Sequence, residues 1–536
     1  MSNKIGRIHE KKGVFPHMGA EITRCLSQYF VAILAAALCF IVPLYAKDGY
    51  NQIGNAKFEI YRGIMIAGCP VLLAASVIYG FFEVRAHRKM RISVTDGCVI
   101  AYLIMTCVSV LSGGFYQDAL WGYYGWNMGL MSQVSFVFLY FFLSRFAKYY
   151  RMILTILCGT SCIVYAIGIL HRLMIDPIGF YDGLEYSQKA QFLSTLGQAS
   201  WYGSFLTVTL PIGIGVVLYT HEKIWRVLGC IYTMLGFCTL VTQNSDSAYF
   251  GLAGALLVFF IISAGERETM CRFTGVLTLL FASGKIMYFL MQINPNPKLE
   301  PDFVTKIMWT SGVTWALLIM CLAMTIVLHL MGNKERRLVY PAALMGKMRK
   351  IIPLLMVMAI AGIVVLIVLQ TRGLLPERIS GRLKDVSYFN WNDNWGNGRG
   401  RIWQFSVKIF SEENLGHKLF GVGPDCFSSY LNAYYREEEA LLWGEKQLTN
   451  AHNEWLNILI NGGVVGAAAY IGIYVTAIGR FMRNHRKDIL LAGVAASCIS
   501  YMCYNFFCYQ QVLCTPFIFI LMGVGEYIVR QRSERR

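Results

Sequence analysis

Charge is scarce in this chain of 536 residues: only 15% are Asp, Glu, Lys or Arg, while 56% are hydrophobic. A soluble protein of this length carries more charge, so a water-soluble enzyme is excluded. Alternating ten-residue segments are missing, which excludes a transmembrane β-barrel. There is no GxxxxGK[ST] loop and hence no P-loop motor. There is no HExxH, no zinc-like Cys/His spacing and no Asp-x-Asp for a metal–nucleotide-sugar complex; Asn392-Asp393-Asn394 reads as a turn. No internal repeat occurs, and none of the inverted symmetry of many secondary transporters. Neither a metal nor a cofactor is expected. The sixteen cysteines lie mostly in or beside apolar runs, with Cys426 the exception, so they read as small buried thiols and not as a disulfide framework.

What the chain has in abundance is apolar runs of membrane-spanning length. Fourteen spans can be drawn, at about 25–46, 60–83, 97–112, 127–144, 152–170, 201–219, 227–242, 248–264, 273–293, 303–331, 351–370, 459–479, 489–509 and 514–530. Alternate connections are basic: Arg85/Arg88/Lys89/Arg91, Arg145/Lys148/Arg151, Lys334/Arg336/Arg337 with Lys347/Arg349/Lys350, and Arg480/Arg483/Arg486/Lys487. The N-terminal segment and the tail (Arg530, Arg532, Arg535, Arg536) share that side. This is the positive-inside bias, and it accounts for the net charge of +17 without nucleic acid. The expected fold is an all-α polytopic membrane protein of about fourteen helices, with both termini cytoplasmic and one large extracytoplasmic loop. Its parts are a cytoplasmic segment 1–24, about eleven helices in 25–370, the loop 371–458, three helices in 459–530 and a tail 531–536. The first span reads as a retained anchor.

Nearly ninety residues between two spans is too long for a passive link. In this loop 403–410 and 426–435 read as amphipathic helices along the membrane surface, 420–427 (FGVGPDCF) as a turn, and Glu437–Glu439 as a solvated face. Two further segments on the same side, 171–200 and 242–250, have the position to converge on it. Lys285 and Lys306 stand near span ends and read as snorkelling.

Three constellations can carry chemistry. In TNAHNEWLNILINGGVVG (449–466), His452 and Asn453 stand roughly 10 Å outside the apolar core of the next span, at headgroup depth. A neutral imidazole there can take a proton from a hydroxyl; Asn453 can cap the helix or bond a substrate hydroxyl. The bland reading, that both merely cap an interfacial helix, weighs about equally on physical grounds. In GNGRGRIW (396–403), glycines beside Arg399 and Arg401 let the backbone approach an anion while the guanidinium forks fit phosphate oxygens. Arg372, Arg378 and Arg382 add positive potential; pairing with the loop's own acids is the alternative. Asp246 lies at a span end, where carboxylates are paired or functional.

His452-Asn453-x9-Gly463-x-x-Gly466, preceded by Gly398-Arg399-xxx-Trp403 and Gly421-Val422-Gly423-Pro424, resembles the O-antigen ligase and Wzy-type polymerase family. STLGQASWYGSFLTVTLP (194–211), with Gln198 and Trp201, is similar to that family's polar entry to a span ending in proline. The resemblance implies a membrane-embedded, GT-C-like, metal-independent inverting glycosyltransferase of the bacterial cytoplasmic membrane. Its donor would be a glycan on undecaprenyl diphosphate and its acceptor a glycan or lipid anchor, with other polysaccharide-assembly proteins as partners. By the same resemblance Arg399 is a diphosphate ligand with Arg401, Arg372 and Arg378 near it, and His452 is the base. Where the family often has an arginine after the serine opening its middle span, this chain has Asp246 after Ser245. The rival readings are a lipid-linked oligosaccharide flippase, which would place its charges at the midplane of the spans, and a non-catalytic scaffold.

Overall fold

All but one of the apolar runs become a single long helix in the computed structural model, which describes residues 2–85, 91–243, 245–296, 300–332, 340–384 and 387–534. The basic residues Arg88, Lys89, Lys334, Arg336, Arg337, Arg535 and Arg536 lie outside the described residues. The long helices are α1 (Ser2–Leu44), α2 (Ile53–Arg85), α3 (Val94–Gly113), α4 (Leu130–Phe146), α5 (Tyr150–Arg172), α6 (Ala199–Tyr219) and α7 (Lys223–Leu240). They continue with α8 (Ser247–Ser263), α9 (Arg267–Ile293), α10 (Gly312–Leu330), α11 (Ala342–Thr371), α12 (Glu454–Asn484), α13 (Leu490–Tyr504) and α14 (Thr515–Glu534). Nine helices in the described residues are long and apolar enough to cross a membrane; α4, α8 and α13 are apolar but shorter. The fold is all-α and polytopic. The single strand pair among the described residues is a hairpin, Phe192–Leu193 with Gly197–Gln198.

Helices are the form a chain must take in hydrocarbon, because each satisfies its own backbone polar groups. α6 sits at the centre of the bundle with nearly all its side chains buried, packed against α7, α8 and α13. α11 is the opposite case. Its apolar side chains, among them Leu354, Val357, Ile360 and Val364, are exposed, as expected of a helix facing lipid.

Several local expectations shift. The run 303–331 is two helices, Phe303–Thr310 and α10, parted at Ser311, whose hydroxyl caps α10 by accepting from Val313 N at 3.1 Å. Lys285 does not snorkel: it is buried and donates to Trp309 O (2.9 Å), Ser311 O (3.2 Å) and Thr314 Oγ1 (2.6 Å), closing the break. Pro211 lies inside α6 and does not end it. All sixteen cysteines are free thiols.

At one end of the bundle the basic connections find buried acids. Asp96 accepts from Tyr140 Oη (2.9 Å) and Arg145 Nη2 (3.0 Å) and also meets Arg530. Glu526 accepts from Arg480 Nε and Nη2, both at 2.9 Å, and pairs with Arg530 Nε at 3.1 Å. This network ties α3, α4, α12 and α14 together. The candidate residues all lie at the other end.

Candidate functional site

The site is built where two non-helical segments cross. α12 is interrupted at Gly463, with φ 68° and ψ 179°. The break frees the carbonyls of Ile460 and Asn461, and the turn 420–427 fills them: Val422 N donates to Ile460 O (3.1 Å) and Gly423 N to Asn461 O (3.0 Å). The approach leaves no room for side chains. A Cβ on Gly463 would lie 2.4 Å from the Leu419 carbonyl, and one on Gly421 2.3 Å from Asn461 O. Gly463 is therefore structural. A Cβ on Gly466 would meet only Met105 Cβ, at 3.9 Å, so its smallness is not demanded.

Around this crossing the long loop folds on itself. The helix Trp395–Glu412 and the helix Phe427–Tyr434 bury Ile402, Phe405, Ile409, Phe427 and Leu431 in a second core with Val422, Leu448 and Ala451. Both are amphipathic, as expected, but their apolar faces meet each other. Glu439 departs from the solvated face expected: it is buried, accepts from Leu448 N at 2.5 Å, and burial raises its carboxyl.

His452 and Asn453 stand at the entry to α12. Asn453 is its N-cap: Oδ1 accepts from Trp455 N (2.9 Å) and Leu456 N (3.2 Å), so its amide oxygen serves the helix. His452 takes a left-handed backbone, φ 48°, held by its N–H donating to Asn450 Oδ1 at 2.9 Å. A non-glycine residue at positive φ is uncommon. The His452 ring meets Tyr509 edge-on, with centroids 5.4 Å apart. Burial, helped by the Arg399 guanidinium, pushes its imidazole down to about 4, so it is neutral at physiological pH.

Arg399 follows a left-handed turn in which Gly396, Asn397 and Gly398 have φ of 59°, 62° and 87°. Nη1 donates to Gly396 O at 2.8 Å; Nε is buried without a partner. Arg401 is otherwise placed. Its Nη1 donates to Leu442 O (2.8 Å) and its Nη2 to Asp393 (2.7 Å), the internal pairing weighed as the alternative, while its Nε, like that of Arg399, is buried without a partner. Arg372 and Arg378 are exposed, at the end of α11 and on Glu377–Leu383, and no described contact joins them to His452.

Of the two other segments, 242–250 meets the long loop through Asp246 and Tyr388, while no described hydrogen bond or ring contact joins 171–200 to it. Asp246 accepts from Val304 N (3.0 Å) and Tyr388 Oη (2.9 Å), and burial raises its carboxyl. Tyr388 in turn lies within the field of Arg399. Trp201 packs on Trp126 (centroids 5.6 Å), which packs on Tyr509 (5.0 Å). Gln198 ends the 192–198 hairpin without capping α6 and makes no described contact with His452. Next to His452 lies a cavity of about 40 Å³, lined among others by Asp425, Asn450, Glu454, Asn461, Tyr509 and Gln510. Asp425 and Glu454 were not singled out in the sequence. The signal was available: each is the lone acid of a motif already singled out, Asp425 in FGVGPDCF and Glu454 beside His452 and Asn453. Among the described residues no three His, Cys, Asp or Glu gather to hold a metal.

The family model of the O-antigen ligase matches residues 305–471, which contain Arg399, the crossing at Gly463, and His452. Over that segment the chain is similar to the O-antigen ligase family. Its bundle of apolar helices is that of a multi-pass membrane protein. No curated protein matches the chain.

Proposed function

We propose that this protein transfers a glycan from undecaprenyl diphosphate to an acceptor hydroxyl on the outer face of the bacterial cytoplasmic membrane. One observation carries the reading: a neutral histidine beside an arginine with an unspent Nε, both inside the matched segment. The diphosphate is already a good leaving group, so no nucleotide is needed. Arg399 stabilises the charge that grows on it as the glycosidic bond breaks. His452 takes the proton of the attacking hydroxyl. Attack opposite the leaving group inverts the anomeric centre, with no metal taking part. Asp246 holds Tyr388, and through it the wall of the arginine turn. Arg401 shapes the loop, and Arg372 and Arg378 lend long-range potential to an anionic lipid.

In this reading both termini are cytoplasmic, 371–458 is extracytoplasmic, and spans 25–370 and 459–530 flank it. The end holding the ionic network of Asp96 and Glu526 faces the cytoplasm, as the basic connections dictate. The acceptor is a growing lipid-linked glycan for a polymerase and a lipid or cell-wall anchor for a ligase. Assembly partners would meet the protein at that outer face.

Purified protein in nanodiscs with an undecaprenyl-diphosphate glycan tests the activity. Lengthened or transferred product is expected. His452→Ala and Arg399→Lys should each lose most of it, the second because an ammonium cannot replace a bidentate fork. Wild-type rates in both variants refute the assignment. A Lys446→Cys protein labelled only from the cytoplasm reverses the topology.

A further inference from the structure

The cavity beside His452 holds two buried acids that the transfer step does not use. Asp425 Oδ2 accepts from Tyr123 N (2.8 Å) and Met128 N (2.9 Å), and Glu454 Oε2 accepts from Gln510 N (2.9 Å). Asp425 is 9% and Glu454 2% exposed. Neither has a cation against it among the described contacts. The groups coupled by charge to the two acids are Asp118, Tyr102, Tyr470, Cys426 and Cys508, and Asp425 acts on Glu454. All are acids or neutral hydroxyls and thiols at pH 7. Arg399 lies beyond, acting on His452, Tyr509 and Cys508.

The walls of the cavity are unfinished in a telling way. Asn461, 4% exposed, has an Oδ1 without a partner. This free buried acceptor lines the space the two acids share, and about 40 Å³ is enough for water with several polar partners. The cavity reaches His452 through Tyr509, whose ring meets the imidazole, and through Asn450, which accepts the His452 N–H.

Resting on the transferase reading, we propose that Asp425 and Glu454 together hold one proton at neutral pH and are the terminus to which His452 passes the proton of the acceptor hydroxyl. The acceptor O–H bond breaks as its oxygen bonds the anomeric carbon. The glycosidic C–O bond breaks with its electron pair leaving on the diphosphate. The proton moves from the oxygen to His452, then through water in the cavity to the carboxylate pair, and is released to the outside after product leaves. The direction is downhill: burial pushes Asp425 up to about 7, while His452 lies at about 4. Asp425 and Glu454 line one cavity with no described cation against either, and two buried carboxylates in one site do not both stay ionised. Asp425 and Glu454 thus act on the substrate only through His452 and are positioning residues for its proton.

The test has two arms. Infrared difference spectra of the full chain in nanodiscs should show a buried carboxylic-acid C=O stretch at pH 7 that is lost when Asp425→Asn and Glu454→Gln are combined; absence of that band overturns the proton pair. In the transfer assay, Glu454→Gln, which keeps an acceptor for Gln510 N, should lower kcat about tenfold, leave donor KM unchanged and move the acid limb of the pH profile. A profile and kcat identical to wild type overturn the relay, as does a loss that appears only in KM. If the wild type makes no product, the transferase reading fails, and the infrared band alone decides whether the pair holds a proton.

Discussion

His452 should titrate far below an ordinary histidine, and the consequence can be worked through. Its imidazole sits at about 4, against about 6.5 for a free side chain, a gap of about 3 kcal/mol in favour of the neutral ring. Burial is the larger cause and the Arg399 charge the smaller. Because the folded value lies below the unfolded one, the unfolded chain takes up the proton first as pH falls. The stability from this group is complete above pH about 6.5 and is lost between there and about 4, at about 1.4 kcal/mol per pH unit. Arg399→Ala removes the repulsion and leaves the burial, so the midpoint should rise by less than the full gap. An anion on Arg399 should act in the same direction, because negative charge favours the imidazolium. Inorganic diphosphate would thus make His452 a better base when a donor headgroup is present. Histidine-labelled NMR in nanodiscs, with His452→Gln to assign the resonance, measures the midpoint directly. A midpoint at 6.5 in the wild type, or no movement in Arg399→Ala, refutes the reasoning. It follows that an acid limb near neutrality in the rate profile belongs to a group other than His452.

Gly463→Ala combines a backbone conformation reserved for glycine, about 1–3 kcal/mol, with overlap on the Leu419 carbonyl and loss of two hydrogen bonds of about 1 kcal/mol each. Thermal unfolding in detergent should show a loss of about 3–5 kcal/mol, whereas Gly466→Ala should cost less than about 1. Asn453→Ala should destabilise by about 1 kcal/mol through the lost cap. Asn453→Asp caps as well and should keep most activity; a tenfold loss there would mean that the amide nitrogen binds substrate. Arg401→Ala, which breaks a half-exposed pair with Asp393, should change donor KM less than twofold, while Arg399→Ala should raise it strongly or abolish turnover.

The bundle was legible because hydrocarbon permits few solutions: an apolar run of about twenty residues becomes one helix. What the pattern could not carry was the fate of individual polar groups. Lys285 near a span end reads as a snorkelling side chain, yet three acceptors at the Ser311 break hold it inside. Glu439 in a run of three glutamates reads as solvated, yet a backbone N–H nine residues on, past the end of its helix, claims it. Arg399 and Arg401 are alike in sequence and differ in structure because Asp393 and the Leu442 carbonyl lie within reach of only one. In each case the deciding partner lies beyond the reach of one helical turn, from 8 to 41 residues away, where periodicity and composition say nothing.

The glycines of the motif illustrate how sequence distance and site geometry are joined. Gly463 and Gly466 follow His452 closely and invite a role at the substrate, but Gly463 acts eleven residues away by letting the 420–427 turn reach the interior of α12. That docking puts Asp425 against Tyr123 and Met128, and the break in α12 leaves Asn461 facing the same cavity. The turn from 505 to 514 completes the enclosure, since Asn505 O accepts from Glu454 N and Gln510 N donates to Glu454 Oε2. Its Tyr509 then closes on the imidazole. A single substitution at Gly463 would therefore disturb the proton pair, the His452 backbone and the second core at once. Its effect on turnover should exceed what its loss of stability predicts when both are measured at a temperature where the variant remains folded.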